Sequence, residues 1–267
     1  MSYSNYYPVS GLLHISIPVL MGTRMDALLF GDNRKFLEIT WNSIEKELRY
    51  LEKMLNRFDP ESEVTNVNSN LHLSIVRLSD ELWNIMLDCR RYYEETDGRF
   101  DVTLQDFDKI VFEEESQSVL FSKYGMTLDL GGYAKGYALR VVRKRLESAG
   151  IKRALINFGN SSVLALGAHP YGDSWQVGVE DPETGTLLST FQLRDSSLSV
   201  SGNTPSHRSH IINPKTSEFV TGDRMVAVVA DDPVDADVLT TAWIASGSDT
   251  IPDWMLKFNL KNTYKIK

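Results

Sequence analysis

Cysteine is nearly absent from the chain: Cys89 stands alone among 267 residues. A single thiol excludes an intrachain disulfide and any zinc site built from several thiolates. It lies in an apolar helical run, which assigns it to the core rather than to nucleophilic chemistry. A basic surplus is missing too, since 28 Lys and Arg face 36 Asp and Glu, for a formal charge of -8. That balance disfavours a broad phosphate-tracking face for nucleic acid, so an anionic ligand must be held locally, by a metal, a lone cation or backbone amides. No stretch approaches the ~18 apolar residues of a membrane span, and residues 1–18 lack a basic segment followed by an apolar one. The expectation is a soluble, cytoplasmic chain as given, or an exported one whose N-terminal signal has been removed. Internal repeats, low-complexity segments and linkers rich in Pro, Gly or Ser are also lacking, so residues 1–267 read as a single domain.

What is present is a regular alternation of apolar and polar residues. Residues 12–20 and 24–30 alternate as strands do. Asp32 or Asn33 caps a helix over about 34–56, in which Phe36, Leu37, Ile44, Leu48, Leu51 and Leu55 recur at three- and four-residue intervals as a core stripe. A second helix starts at Ser79 or Asp80 and runs to about Thr96, where Asp97-Gly98 breaks it. Residues 119–122 and 126–130 look like a hairpin, and later strands are predicted at 153–157, 163–167, 175–179, 190–193, 198–200 and 225–230. Two long helices among many strands, without regular βαβ alternation, argue for an α+β fold.

Four segments carry possible chemistry. In the first, residues 128–138, a strand end runs through Gly131-Gly132 into a helix with Lys135 in its first turn. Glycines and helix-opening amides favour an anion such as phosphate, although the Walker A spacing is absent and paired glycines also serve as plain tight turns. In the second, Asp237 and Thr241 stand at i and i+4 of a helix that starts near Asp232-Pro233 and stops at Gly247. A carboxylate beside a hydroxyl suits a hard cation such as Mg²⁺; a surface Asp next to a Thr bonded to its own helix has the same pattern. The third is Ser209-His210-Ile211-Ile212-Asn213-Pro214, where His210 has a pKa suited to general-base work near neutral pH or is structural. The fourth, residues 57–69, reads as a polar loop whose Asn and Ser side chains either bind a ligand or form a solvated connector.

In this order the segments resemble the ApbE family, the FAD:protein FMN transferases. The resemblance runs from Met21-Gly22-Thr23 through Ser62-Glu63-Val64 with Asn68, Gly98-Arg99-Phe100-Asp101-Val102-Thr103, and residues 129–138. It continues through Asn157-Phe158-Gly159-Asn160, Ser201-Gly202 and residues 210–214 to Ala236-Asp237 with Thr241, covering about 20–247. The family implies an α+β, ApbE-like (T-fold-like) architecture of mixed, largely antiparallel sheets with long packed helices. It implies an Mg²⁺-dependent transferase that cleaves the FAD pyrophosphate, attaches FMN to a threonine hydroxyl of an acceptor flavoprotein and releases AMP. An FAD pyrophosphatase and a non-catalytic flavin-binding module are the alternatives.

By this resemblance Asp237 and Thr241 are metal ligands, the main-chain carbonyl of Gly132 is a third, and Thr240 lies in or near that shell. Lys135 then faces the FAD diphosphate, while Met21, Asn68, Asp101 and Ile212 match positions lining the flavin or adenine. His210 is the candidate base for the acceptor threonine, and Asp237 serves catalysis through the metal. The chain departs from the family pattern at Arg140, where members usually have an acidic residue, at Asn213, which replaces the commoner Asp before Pro214, and in its short stretch from Ser201 to His210.

Overall fold

In a computed structural model of the chain, residues 2–70, 75–203 and 211–267 are described. The N-terminal part comprises β1 (Tyr3–Tyr7), β2 (Leu12–Leu20), β3 (Thr23–Phe30), α1 (Arg34–Leu55), α2 (Glu63–Asn70), β4 (Val76–Arg77) and α3 (Asp80–Glu95). The middle comprises β5 (Ile110–Glu113), β6 (Ser118–Phe121), α4 (Ala134–Ser148), β7 (Ala154–Phe158), β8 (Ser162–Leu166), β9 (Trp175–Glu180) and β10 (Leu187–Leu193). The remainder comprises β11 (Ser196–Asn203), β12 (Ile212–Asn213), β13 (Glu218–Phe219), β14 (Arg224–Ala230), α5 (Pro233–Ser246) and β15 (Leu260–Lys265).

Eight strands form one antiparallel sheet in the order β1-β2-β3-β7-β8-β11-β14-β15. Where it is covered on one face only, as in β2 and β3, burial alternates with polarity as the sequence predicts. The apolar face there packs Leu13, Ile15, Met25 and Leu29 against Leu37, Trp41, Ile44 and Leu48 of α1 and Leu139, Val142 and Leu146 of α4. The β8-β11-β14 portion is covered on both faces, so β8 and β14 are buried almost throughout. On one side lies α5; on the other lies the β9-β10 ribbon, whose Trp175, Val179, Phe191 and Leu193 meet Val163, Leu198, Ala227 and Val229. A third core joins α2, α3, α5 and the small β4-β6-β5 sheet, and Cys89 lies there at 0% exposure. Burial pushes that thiol's pKa well up, which agrees with a packing role.

Helix ends follow local chemistry. The Asn33, Ser79 and Asp232 side chains accept from Phe36 N, Leu82 N and Val234 N at 3.0, 3.2 and 2.9 Å, and Gly247 closes α5 at φ 68°. Eleven of the 14 residues of α5 are buried, so it lacks the broad polar face of a surface helix and is the central helix of the molecule. Its crossing with α4 requires Gly136, where a Cβ would stand 2.8 Å from both Asp237 Cβ and Pro233 O and 2.9 Å from Val234 Cα.

Three expectations are corrected. Residues 119–122 and 126–130 do not pair: β6 joins β5 and β4 instead, and 126–130 is extended without a ladder. Its backbone polar groups are met elsewhere, Leu128 by both ends of the Asn68 amide (2.7 and 3.1 Å) and Asp129 N by Val102 O (2.6 Å). The predicted polar loop at 57–69 contains α2, nucleated by Ser62, whose Oγ accepts from Thr65 N at 2.9 Å, and by buried Val64 and Val67. Phe36 leaves the predicted stripe and is 45% exposed, its place in the core taken by Trp41 and Met54. Among the described residues no helix is long and apolar enough to cross a membrane.

Candidate active site

A cavity of about 910 Å³ opens where the 99–104 loop, the Gly131-Gly132 turn, the start of α4, strands β9 and β11 and the β12 segment converge on α5. That volume is within the range of cofactor-sized pockets, which run to about 1,000 Å³. Asp237, 4% exposed, lies at its floor. Its Oδ1 accepts from Ser162 Oγ (3.1 Å) and Ser199 Oγ (3.0 Å), and its Oδ2 accepts from Gly136 N (2.8 Å). A carboxylate offers about four lone-pair directions, so these three donors leave one open.

Thr241, one turn further along α5, also lines the cavity, and its hydroxyl donates to Asp237 O at 3.1 Å, leaving its lone pairs free. Gly132 faces it closely: a Cβ at 132 would lie 3.0 Å from Thr241 Cγ2 and 3.2 Å from Oγ1. A carboxylate and a hydroxyl, joined by the Gly132 carbonyl that the resemblance implies, are oxygen donors of the kind that suits a hard divalent cation retaining several waters. Among the described residues no group of three or more His, Cys, Asp and Glu side chains could hold a metal, so a cation here would depend on this mixed set.

Lys135 enters the cavity from the first turn of α4 and donates from Nζ to Ser161 Oγ. The neighbouring amides of Ala134 and Gly136 are engaged by Leu130 O and Asp237, which leaves the Lys135 N–H without a partner among the described residues. The helix opening thus offers one ammonium and one amide to an anion, fewer donors than the glycine pattern alone suggests. On the opposite wall Asp101 accepts from Thr103 N and Oγ1, both at 2.7 Å, and from Phe107 N at 3.2 Å. Burial nevertheless pushes its pKa up. Two other acids lining the cavity are ion-paired, Asp129 with Arg57 (3.0 Å) and Asp181 with Lys267 (3.1 Å).

Of the residues singled out in the sequence, Asp101, Gly132, Lys135, Ile212, Asp237 and Thr241 line this one cavity. Met21, Asn68 and Thr240 do not. Met21 is wedged between two cores with its N–H on Glu52 Oε1 at 2.7 Å, and the Asn68 amide is spent on Leu128. Thr240 is 0% exposed; its hydroxyl is within donating distance of Ala236 O (3.1 Å) and Asp237 O (3.0 Å), accepts from Ser201 Oγ (3.0 Å) and lies 3.2 Å from Ser199 Oγ. His210 lies outside the described residues. Sequence reasoning missed Ser161, Ser162 and Ser199; for Ser199 the alternate serines 197, 199 and 201 of β11 were the available signal.

The ApbE family model matches residues 21–117 and 104–263. The chain belongs to the ApbE family. Over 157 residues it is 34% identical to the FAD:protein FMN transferase of Rhodobacter capsulatus, covering 56% of this chain and 30% of that one. Over 177 residues it is 27% identical to the FAD:protein FMN transferase of Klebsiella pneumoniae, covering 62% and 54%. The match thus spans from under a third to just over half the length of these two ApbE relatives. The apo form of the Pseudomonas stutzeri flavinyl transferase ApbE superposes with a TM-score of 0.80 at 20% identity over 96% of this chain and 94% of that one, a likeness of fold.

Two of the three sequence departures of this ApbE chain acquire partners; the third, the stretch from Ser201 to His210, lies largely outside the described residues. Arg140 bridges Asp88 of α3 (2.7 Å) and Asp232 at the cap of α5 (2.7 Å). Asn213 accepts from Arg99 Nη1 at 3.2 Å and from Lys215 N at 3.0 Å.

Proposed function

We propose that this ApbE protein transfers FMN from FAD to a threonine hydroxyl of an acceptor flavoprotein and releases AMP. The observation that carries the reading is the convergence of Asp237, Thr241 and Gly132 beside Lys135 on one wall of a dinucleotide-sized cavity. Asp237, Thr241 and the Gly132 carbonyl would hold Mg²⁺. Bound there, the ion supplies charge neutralisation on the pyrophosphate oxygens.

The chain's own groups account for the rest. The Lys135 ammonium and N–H bind and orient the pyrophosphate, which lets a protein of charge -8 hold a dianion locally. Val163, Val177, Leu198 and Val200 line the cavity and exclude water from it. In the transfer the threonine oxygen forms a bond to the FMN-side phosphorus, the bond from that phosphorus to the bridging oxygen breaks, and AMP departs with the bridge. We assign the proton of the attacking hydroxyl to His210, on the family resemblance and the suitability of histidine as a residue type for general-base work.

The test is incubation with FAD and Mg²⁺, with and without a threonine-bearing acceptor, followed by mass spectrometry of the acceptor. An FMN adduct is the expected result; free FMN and AMP in both arms would indicate the pyrophosphatase, and unchanged FAD in both would overturn catalysis. Asp237→Ala should abolish turnover of FAD, and full activity in that variant would remove the metal assignment.

A further inference from the structure

Ser162 and Ser199 have no place in the chemistry described so far, yet both are among the most buried polar residues of the molecule, at 2% and 1% exposure. They stand directly opposite each other in the β8-β11 ladder. Residues paired across an antiparallel ladder present their side chains to the same face, and here that face is the one α5 covers. Both hydroxyls converge on a single atom, Asp237 Oδ1, at 3.1 and 3.0 Å. From the other side the Gly136 amide fixes Oδ2 at 2.8 Å. Behind Ser199, Thr240 Oγ1 lies 3.2 Å away and is itself met by Ser201 Oγ at 3.0 Å, so a row of hydroxyls runs from the cavity wall to the carboxylate.

A buried hydroxyl that loses its partner is costly, so two serines placed opposite each other inside a sheet need a reason. The same strand holds the contrast: Ser197, two residues earlier on the same face, is 1% exposed and its hydroxyl has no partner among the described residues. Burial and small size are common to Ser197 and Ser199, whereas the bond to Asp237 belongs to Ser199 alone among the two.

We propose that Ser162 and Ser199 are positioning residues for divalent-cation binding: they lock the Asp237 carboxylate in the rotamer that leaves its one free lone pair toward the cavity. Thr240 belongs to this support, holding Ser199 and Ser201, rather than to the ligand set. The inference rests on the reading of Asp237 as a cation ligand. Outer partners of metal-ligating side chains are worth about 10–100-fold in affinity.

The test is titration with Mn²⁺ alone, followed by electron paramagnetic resonance of the free ion, together with a thermal melt of each variant. Ser162→Ala and Ser199→Ala should each raise the Mn²⁺ Kd by about 10–100-fold, while Ser197→Ala leaves it unchanged. Thermal melts of all three variants are expected to stay within a few degrees of one another, which separates positioning from folding. Asp237→Ala serves as the reference and should remove binding at this site. If it does so while Ser162→Ala and Ser199→Ala bind Mn²⁺ like the parent chain, the positioning role is overturned and the ligand assignment stands. If Asp237→Ala itself retains full binding, the ligand assignment fails first.

Discussion

In the proposed function, Lys135 is the residue on which an acidic protein's hold on a dianion depends. No carboxylate neutralises it among the described residues; its ammonium meets only the Ser161 hydroxyl, and its own N–H is free. A charge-assisted hydrogen bond is worth about 1.5–3 kcal/mol, so Lys135→Ala should weaken FAD binding about 10–100-fold, read from flavin fluorescence at equilibrium. Lys135→Arg should recover part of that loss. At this scale the sequence was informative where chemistry is local. Asp237 and Thr241 were legible because helical spacing alone places i and i+4 on one face. Ser162 and Ser199 were not, because their meeting depends on the register of two strands 37 residues apart, which no local pattern encodes. Asn68 illustrates the opposite case, since its side chain type suited a ligand and instead holds the Leu128 backbone.

Among the elements, the α4-α5 crossing governs the site. Gly136 brings the first turn of α4 against Asp237, and the atoms that a Cβ would meet at 2.8–2.9 Å include the backbone of Pro233 and Val234. Gly136→Ala should therefore destabilise the protein by about 1–3 kcal/mol, visible as a lowered denaturation midpoint, and should displace the amide that fixes Asp237 Oδ2. The same two helices are tied to α3 from behind. Asp88 accepts from Tyr133 OH and Arg140 Nη1, both at 2.7 Å, and from Arg91 at 2.9 Å. Burial acts to raise the Asp88 pKa, but the donors from Arg140 and Tyr133 and the Arg140 charge outweigh it and hold the carboxyl below its usual range.

A depressed folded-state pKa means that Asp88 stabilises the fold above its unfolded value, about 3.9, and that this contribution is lost as pH falls through the folded value. The midpoint difference between the parent chain and Asp88→Asn should accordingly be largest near pH 7 and shrink below about pH 4, measured by thermal melts across pH. A difference independent of pH would contradict this. Helices α1, α3 and α5 were legible from spacing and caps, whereas α2 was hidden because an eight-residue helix rich in Asn, Ser and Thr carries only two buried apolar residues. The misread hairpin followed from apolar alternation in 126–130 that is real in its burial but has no ladder partner.

For the whole molecule, the α+β class was legible, since two long helices and many strands without βαβ order leave few alternatives. The strand order was not, because β3-β7 and β14-β15 pair residues distant in sequence. This architecture places α5 at the centre, packed against β8, β11, β14 and α4, with 11 of its 14 residues buried and only its cavity-facing edge and end reached by solvent. A helix so enclosed has no route to local fraying, so its amide protons should exchange with solvent only when the entire fold opens. Ligand that binds the folded state alone, at 100 times its Kd, adds about 2.7 kcal/mol to that opening. Saturating FAD should therefore slow deuterium uptake along α5 about 100-fold, including on turns that never touch the cavity, and uptake that slows only near Asp237 and Thr241 would contradict a globally gated helix. Occupancy of the cavity would then be registered on every turn of the helix, near and far alike.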